Sequence, residues 1–249
     1  MDLSLIQPVI NQPALFIEDK KILVVADLHI GIEKELHENG LNAPSQTKNL
    51  TDNLIMLCDE YKPREIVLLG DIKHNIPSST YQERKDVKDF FETIKTYGLV
   101  HVLPGNHDGN IDKLVSKEVV VHPSDGFKVE NVGFVHGHRW PNEEIMQCEQ
   151  IIIAHTHPTV MFSDRLGHRT FEQCWIKTNF VKNRLKEKYP KSLNPKLLIV
   201  PAFNPLCGGI AINKDGVMGP LGKIIDIDRS QVYLLDGSSL GFIKDIKVI

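Results

Sequence analysis

Short apolar runs that stop at an aspartate, a glycine or a histidine alternate with longer stretches of helical period along the first part of the chain. Leu15, Phe16 and Ile17, a polar turn from Glu18 to Lys21 and the run Ile22 to Ala26 predict a hairpin leading into a buried strand. From Pro44 to Tyr61, apolar residues at Leu50, Leu54, Ile55, Leu57, Cys58 and Tyr61 keep a helical period. Glu65 to Leu69 has the length and branched residues of a strand. Tyr81 to Tyr97 is helical again, with Val87, Phe90, Phe91, Ile94 and Tyr97 on one stripe and Gly98 where a C-cap is expected. Leu99 to Leu103 follows as a strand. Strand, helix, strand, helix, strand predicts a parallel sheet with right-handed crossovers.

After about residue 118 the rhythm tightens. Strands are expected at Val119 to His122, Phe127 to Glu130, Val132 to His136, Ile151 to Ala154 and Thr159 to Phe162, and later at Leu197 to Val200, Ile224 to Ile227, Val232 to Leu234 and Phe242 to Val248. These predict a second sheet, antiparallel or mixed, so the fold class is α/β. With no internal repeat and no linker, residues 1–249 read as a single domain. Its least regular piece, Ser163 to Pro195, reads as an insertion carrying a basic helix near Phe180 to Tyr189.

Composition narrows the class. A chain of 249 residues buries roughly three quarters of its extended surface and needs no covalent staples. Cys58, Cys148, Cys174 and Cys207 form no close pair, which predicts reduced core thiols and neither a zinc knuckle nor a disulfide framework. Met1 to Ile10 has no basic start followed by an apolar run, and no 18-residue apolar stretch occurs, so a soluble cytoplasmic protein is expected. The net charge is −3, but Lys177 to Lys196 carries seven basic residues against one acid, Glu187.

The candidate chemistry lies where the apolar runs stop. Asp27-Leu28-His29, Gly70-Asp71, Gly105-Asn106-His107-Asp108, His136-Gly137-His138 and His155-Thr156-His157 each follow a predicted strand. Ligands collect outside the carboxyl ends of strands in open sheets, so these motifs can converge. In an extended segment residues i and i+2 share a side, which would aim Asp27 with His29, and His155 with His157, at one point. Asp71 stands alone on its loop, and a carboxylate there can bridge two cations. Glycine beside a ligand permits sharp turns and close approach. Taken singly, His136 or His155 reads as a satisfied core histidine, whereas the set, in this order, points to metal. Mixed imidazole and carboxylate donors favour Mn²⁺, Fe²⁺, Zn²⁺ or similar ions over Ca²⁺ or Mg²⁺.

In these motifs the chain resembles the calcineurin-like metallophosphoesterase superfamily, from Asp27 to His157. The resemblance implies a mixed sandwich of two sheets with helices outside. It also implies two divalent ions (manganese first; iron, zinc or nickel as alternatives), one held by Asp27, His29, Asp71 and His157, the other by Asp71, Asn106, His136 and His155. His138 competes with His136 for its place, and Ala154 stands where the family usually has glycine. Gly70-Asp71-Ile72-Lys73-His74, His155-Thr156-His157-Pro158 and Pro201-Ala202-Phe203-Asn204 with Gly208-Gly209 are most similar to the SbcD-related archaeal and ligase-associated endonuclease branch. The resemblance does not extend to the extra domain and docking helices of full-length SbcD nucleases, so it does not by itself imply nuclease activity.

The implied reaction is phosphodiester hydrolysis, by hydroxide formed between two cations that also clamp the phosphate oxygens. His107 is expected to protonate the leaving oxygen, with Asp108 orienting its ring. His74 and His138 are candidate phosphate contacts. Lys182 and Arg184, with Phe180 and Tyr189 for base stacking, are candidate contacts to DNA or RNA; a solvated basic face is the plainer reading. The alternatives are a phosphodiesterase or phosphatase for a small metabolite or cyclic nucleotide, and a non-catalytic metal-binding scaffold. The oligomeric state is left open, homo-oligomers included.

Overall fold

A computed structural model describes residues 6–246. The first sheet has the order β1 (Ile6–Pro8), β2 (Ala14–Ile17), β3 (Ile22–Val25), β4 (Glu65–Leu69), β5 (Leu99–Leu103), β6 (Val120–Val121). The pairs β1/β2 and β2/β3 are antiparallel, and β3 to β6 are parallel. Helices α1 (Glu33–Glu38) and α2 (Thr47–Tyr61) join β3 to β4, and α3 (Tyr81–Ile94) joins β4 to β5.

The second sheet contains β7 (Phe127–Val129), β8 (Val132–Val135), β9 (Gln150–Ile153), β10 (Pro158–Ser163), β11 (Arg169–Asn179), β12 (Lys196–Ile199) and β13 (Ile210–Ala211), in the order β13-β10-β11-β12-β9-β8-β7. A hairpin of β14 (Gln231–Leu234) and β15 (Ser239–Phe242) pairs with β11. Strands β8, β9 and β12 run parallel. The expected mixed sandwich with helices outside is therefore present.

Every residue of β3 is buried because both faces are covered. Ile22 and Val24 face the second sheet in a layer with Val67, Leu69, Phe134, Ile152, Trp175 and Leu198, whereas Leu23 and Val25 pack with Leu54, Phe90 and Phe91 of α2 and α3. A strand buried on both sides has no polar face, which is why β3 and β4 read as unbroken apolar runs. Helix α3 starts with a capping box, Thr80 accepting from the Glu83 N–H and Glu83 from the Thr80 N–H. Helix α4 (Lys182–Lys188), anchored by Leu185, and α5 (Ile212–Asp215), anchored by Ile212, cover the outer face of the second sheet.

Four expectations fail. The piece from Ser163 to Pro195, expected to be irregular, supplies the longest strand, β11, which pairs with β10, β12 and β14. Ile224 to Ile227 is not a strand; it follows a 3₁₀ turn at Pro220–Lys223 and meets Phe180 only through an isolated bridge at Ile225. Gly98 does not cap α3, whose C-cap is Lys95; a Cβ at Gly98 would lie 2.8 Å from the Arg64 carbonyl oxygen, so this glycine serves a close backbone contact. The last expected strand, Phe242 to Val248, is not found over its described part: β15 ends at Phe242 and Ile243–Asp245 is a 3₁₀ turn, while Val248 lies outside the described residues.

Candidate metal centre

Because β3, β4 and β5 are parallel, as are β8, β9 and β12, the loops that follow them gather at one edge of the sandwich. Backbone bonds continue the ladder past the strand ends: Asp27 N–H donates to Gly70 O (3.1 Å), His29 N–H to Asp71 O (2.8 Å) and Ile30 N–H to Ile72 O (2.9 Å). The two sheets are stitched by His155 N–H to Asp27 Oδ2 (3.2 Å), Phe203 N–H to Ala26 O (2.8 Å) and the buried Asn204 side chain to Leu28 O (2.7 Å). The Pro201 to Asn204 segment thus holds the Asp27 loop in place.

The loops are not extended, contrary to the reasoning that aimed i and i+2 together. Asp27, His29, Asp71, His155 and His157 have φ of +54°, +42°, +48°, +69° and +45°. Left-handed backbone costs a non-glycine residue roughly 1–2 kcal/mol. Its recurrence at these residues means that the surrounding fold imposes it.

Asp71 sits between two clusters. Its Oδ2 is 3.6 Å from His29 Nε2 and 3.4 Å from His136 Nε2, and its Oδ1 accepts from the His107 N–H at 2.9 Å. Donor atoms of Asp27, His29 and Asp71 lie within 4.8 Å of one another, as do those of Asp71, His136 and His155. His157 Nε2 joins the first cluster, 3.4 Å from Asp27 Oδ1, and Asn106 Oδ1 joins the second, 3.3 Å from His136 Nε2. His136, not His138, reaches the shared carboxylate; His136 is fully buried, whereas His138 is half-buried.

Fixed tautomers aim the lone pairs inward. His136 Nδ1–H donates to Leu69 O (3.1 Å) and His157 Nδ1–H to Gly208 O (3.0 Å), leaving Nε2 of each as the atom that a cation, in exchange for a proton, would engage. His74 Nε2–H donates to Glu35 Oε2 (2.6 Å), so its Nδ1 accepts from His29 Nδ1–H at 3.0 Å, and His29 Nε2 is left facing Asp71. Asp27 Oδ1, His29 Nε2 and His157 Nε2 are buried without a hydrogen-bond partner. Unpaired buried polar atoms are costly. A cation set among them would satisfy all of them, so this donor set fits divalent ions.

Electrostatics agree. Burial holds His29 down to about 3, and His155 and His138 to about 4, so their rings are neutral. Burial alone would raise the Asp71 carboxyl, but His136, His29 and the His107 N–H hold it below the usual carboxylate range. Burial opposes charge on His136 and His157 too, yet Asp71 and Asp27 raise His136 to about 9, and Asp27 raises His157. Protons thus balance the buried carboxylates, a role that cations would take over with release of those protons.

Other candidates are placed differently. The Asp108 carboxylate does not touch the His107 ring. It is buried and accepts from the N–H groups of Ile72 (2.9 Å), Lys73 (3.1 Å) and Gly105 (2.8 Å), tying two site loops together. Burial, with the charge of Asp71, pushes it up to about 6. His107 is oriented instead by the His74 carbonyl, which accepts from its Nδ1–H at 2.5 Å. His74 is enclosed between His29 and Glu35 and is not an open phosphate contact. Lys182 and Arg184 lie exposed on α4, on the outer face of the second sheet; Arg184 donates to Lys223 O, and no hydrogen bond or ion pair among the described residues joins either to the centre.

Sequence reasoning missed Glu35, whose short charged helix looks like any solvated one. It also missed Cys207, expected as a core thiol but located against the Asp27 backbone carbonyl (3.6 Å). The following Gly208-Gly209 was the available signal.

The profile of the family described as calcineurin-like phosphoesterase matches residues 20–200. Among solved structures, the nuclease MPE of Pseudomonas putida is 20% identical, with 90% of this chain and 89% of that one covered and a TM-score of 0.57. The phosphoesterase Yfce of E. coli is 17% identical, with 88% and 96% covered and a TM-score of 0.39. At such identities the likeness to the nuclease is one of fold.

Proposed function

Since the chain belongs to the calcineurin-like phosphoesterase family, we propose that it is a metal-dependent hydrolase of phosphodiesters, acting on nucleic acid, with two divalent ions bridged by Asp71. The observation that carries this reading is the convergence of Asp27, His29, Asp71, Asn106, His136, His155 and His157 on two adjoining clusters that share one carboxylate. When bound, the ions would supply Lewis acidity at the phosphate and a water of lowered pKa.

The chain's own residues do the rest. Glu35 and His74 keep a proton on His29 Nδ1 and so keep Nε2 free to ligate. Leu69 and Gly208 do the same for His136 and His157. With Nδ1–H committed to the His74 carbonyl, His107 presents Nε2 as the atom that delivers a proton to the departing alkoxide. The His107 backbone N–H fixes Asp71, so the proton donor and the bridging carboxylate are held by one residue. His138, half-buried beside His136, is a candidate phosphate contact.

The nucleic-acid choice is supported by the fold shared with the Pseudomonas putida nuclease MPE. A second reading, a small phosphodiester, has its own support. The groove of about 760 Å³ beside the centre, reached at Cys207 to Gly209, is lined by Phe171, Glu172, Leu234 and Asp236 and by no lysine or arginine. Such a wall repels a long polyanion and accepts a compact substrate with an apolar group.

The test is hydrolysis of single-stranded DNA and of small alkyl and aryl diesters by chelator-stripped protein, with Mn²⁺ or Zn²⁺ restored. The nuclease reading expects metal-restored DNA cleavage whose rate falls steeply with salt. Cleavage of small diesters alone selects the second reading, and no metal-dependent hydrolysis of any of them overturns both. In the same assay, His107→Ala is expected to cost roughly 10²–10⁴-fold on the alkyl diester, as loss of a general acid does, and far less on the aryl diester. Equal losses on both would remove the proton-delivery role.

A further inference from the structure

The donors nearest the first cluster include one that the family resemblance does not supply. Cys207 Sγ and the ring nitrogens of His29 and His157 all lie within 4.8 Å of one another. Sulfur and nitrogen donors that share one zinc-like ion lie at most roughly 4.4 Å apart, the sum of a bond of about 2.3 Å and one of about 2.1 Å. The thiol therefore needs little movement to join the set.

Further observations place a ligand at this point. His29 is 4% exposed, and its Nε2, like that of His157, is buried with no hydrogen-bond partner. Among the described residues the thiol makes one hydrogen bond, a long one to Asp27 O at 3.6 Å. The loop that carries Cys207 is also held in place. Asn204 donates to Leu28 O (2.7 Å), Ile210 N–H donates to His157 O (3.1 Å), and a Cβ at Gly209 would lie 2.1 Å from Thr159 Cγ2. Gly208, the next residue, fixes the His157 tautomer through its carbonyl, so one loop presents both the thiol and the aimed imidazole.

We propose that Cys207 is a ligand of the ion held by Asp27, His29, Asp71 and His157, and that its sulfur sets the metal preference of that site. This rests on the metal-centre reading above. Binding would release the thiol proton to solvent and place a soft anionic donor among imidazoles and carboxylates. Soft donors select zinc- and iron-like ions over Mn²⁺ and Mg²⁺. The order that puts manganese first then gives way at this site to Zn²⁺, Fe²⁺ or Co²⁺.

Chelator-stripped full-length protein, Cys207→Ser and Cys207→Ala are titrated with Co²⁺ and followed by absorption. The proposal expects visible ligand-field bands in all three proteins. It expects a near-ultraviolet sulfur-to-cobalt charge-transfer band in the parent alone, since Cys58, Cys148 and Cys174 are buried elsewhere. In equilibrium dialysis, Cys207→Ser is expected to weaken Zn²⁺ binding at least ~10-fold, the low end of what altering a metal site's supporting groups costs, with little change for Mn²⁺. Ligand-field bands without the charge-transfer band in the parent, or the same band in Cys207→Ser, would overturn thiol ligation and leave the metal centre standing. Failure of the parent to bind Co²⁺ at all would overturn both.

Discussion

Asp71→Asn is expected to lower turnover at least ~10³-fold, about 4 kcal/mol of transition-state stabilisation, and to reduce the metal content to one ion per chain or fewer. The reason is position. Each carboxylate oxygen is already assigned: Oδ1 to the His107 N–H, Oδ2 to the space between His29 and His136. Asparagine keeps the shape but carries no charge and puts an NH₂ group where a donor of electrons is required. Rotating the amide moves the NH₂ onto the His107 N–H and sets two donors against each other. Elemental analysis of the purified variant beside its steady-state kinetics is the measurement. A variant that retains two ions and parental turnover would contradict the bridging role.

Gly105→Ala, a change of one methyl group, is expected to be almost as damaging. A Cβ at this position would lie 2.1 Å from Asp71 Oδ1, 2.5 Å from the Asp71 backbone nitrogen and 2.8 Å from its Cγ. Neither the carboxylate nor the backbone can yield without leaving the centre. Overpacking of this kind costs roughly 1–3 kcal/mol. For a chain of this length that lowers Tm by roughly 2–4 °C per kcal/mol. The larger effect is on metal affinity, expected to fall at least ~10²-fold because the shared carboxylate is displaced, at the upper end of what a disturbed supporting group costs. Gly109→Ala is the control: nothing lies within 4 Å of the added carbon, and parental melting and metal binding are expected. Similar losses in both variants, by calorimetry and metal titration, would show that the contact with Asp71 is irrelevant.

Much of the frame is legible in the chain because its strands obey simple rules. Strands buried on both faces give apolar runs, and the loops after them hold the polar residues that the fold must place. The misreadings have local causes. The first half of β11, from Arg169 to Gln173, is largely exposed, so it lacks the period-2 signal of a half-buried strand. Ile224 to Ile227 is apolar because it roofs the outer face of the second sheet, and burial without pairing looks like a strand in one dimension. Asp108 was assigned to the ring beside it because adjacency in sequence is easy to see. Two of the three N–H groups that hold it come from Ile72 and Lys73, 36 and 35 residues away, and adjacency carries no information about those. Glu35 was hidden for the same reason, since its partner His74 is 39 residues distant.

The two clusters draw on both layers of the sandwich: Asp27, His29, Asp71 and Asn106 come from loops of the first sheet, His136, His155 and His157 from loops of the second. A cation bound there is a clasp across the rim. At a hundredfold excess over its dissociation constant, each bound ion adds about 2.7 kcal/mol to the folded state. Chelation would then do more than idle the centre: it would unpin one leaf from the other, so metal scarcity would be felt first as a shortage of intact molecules.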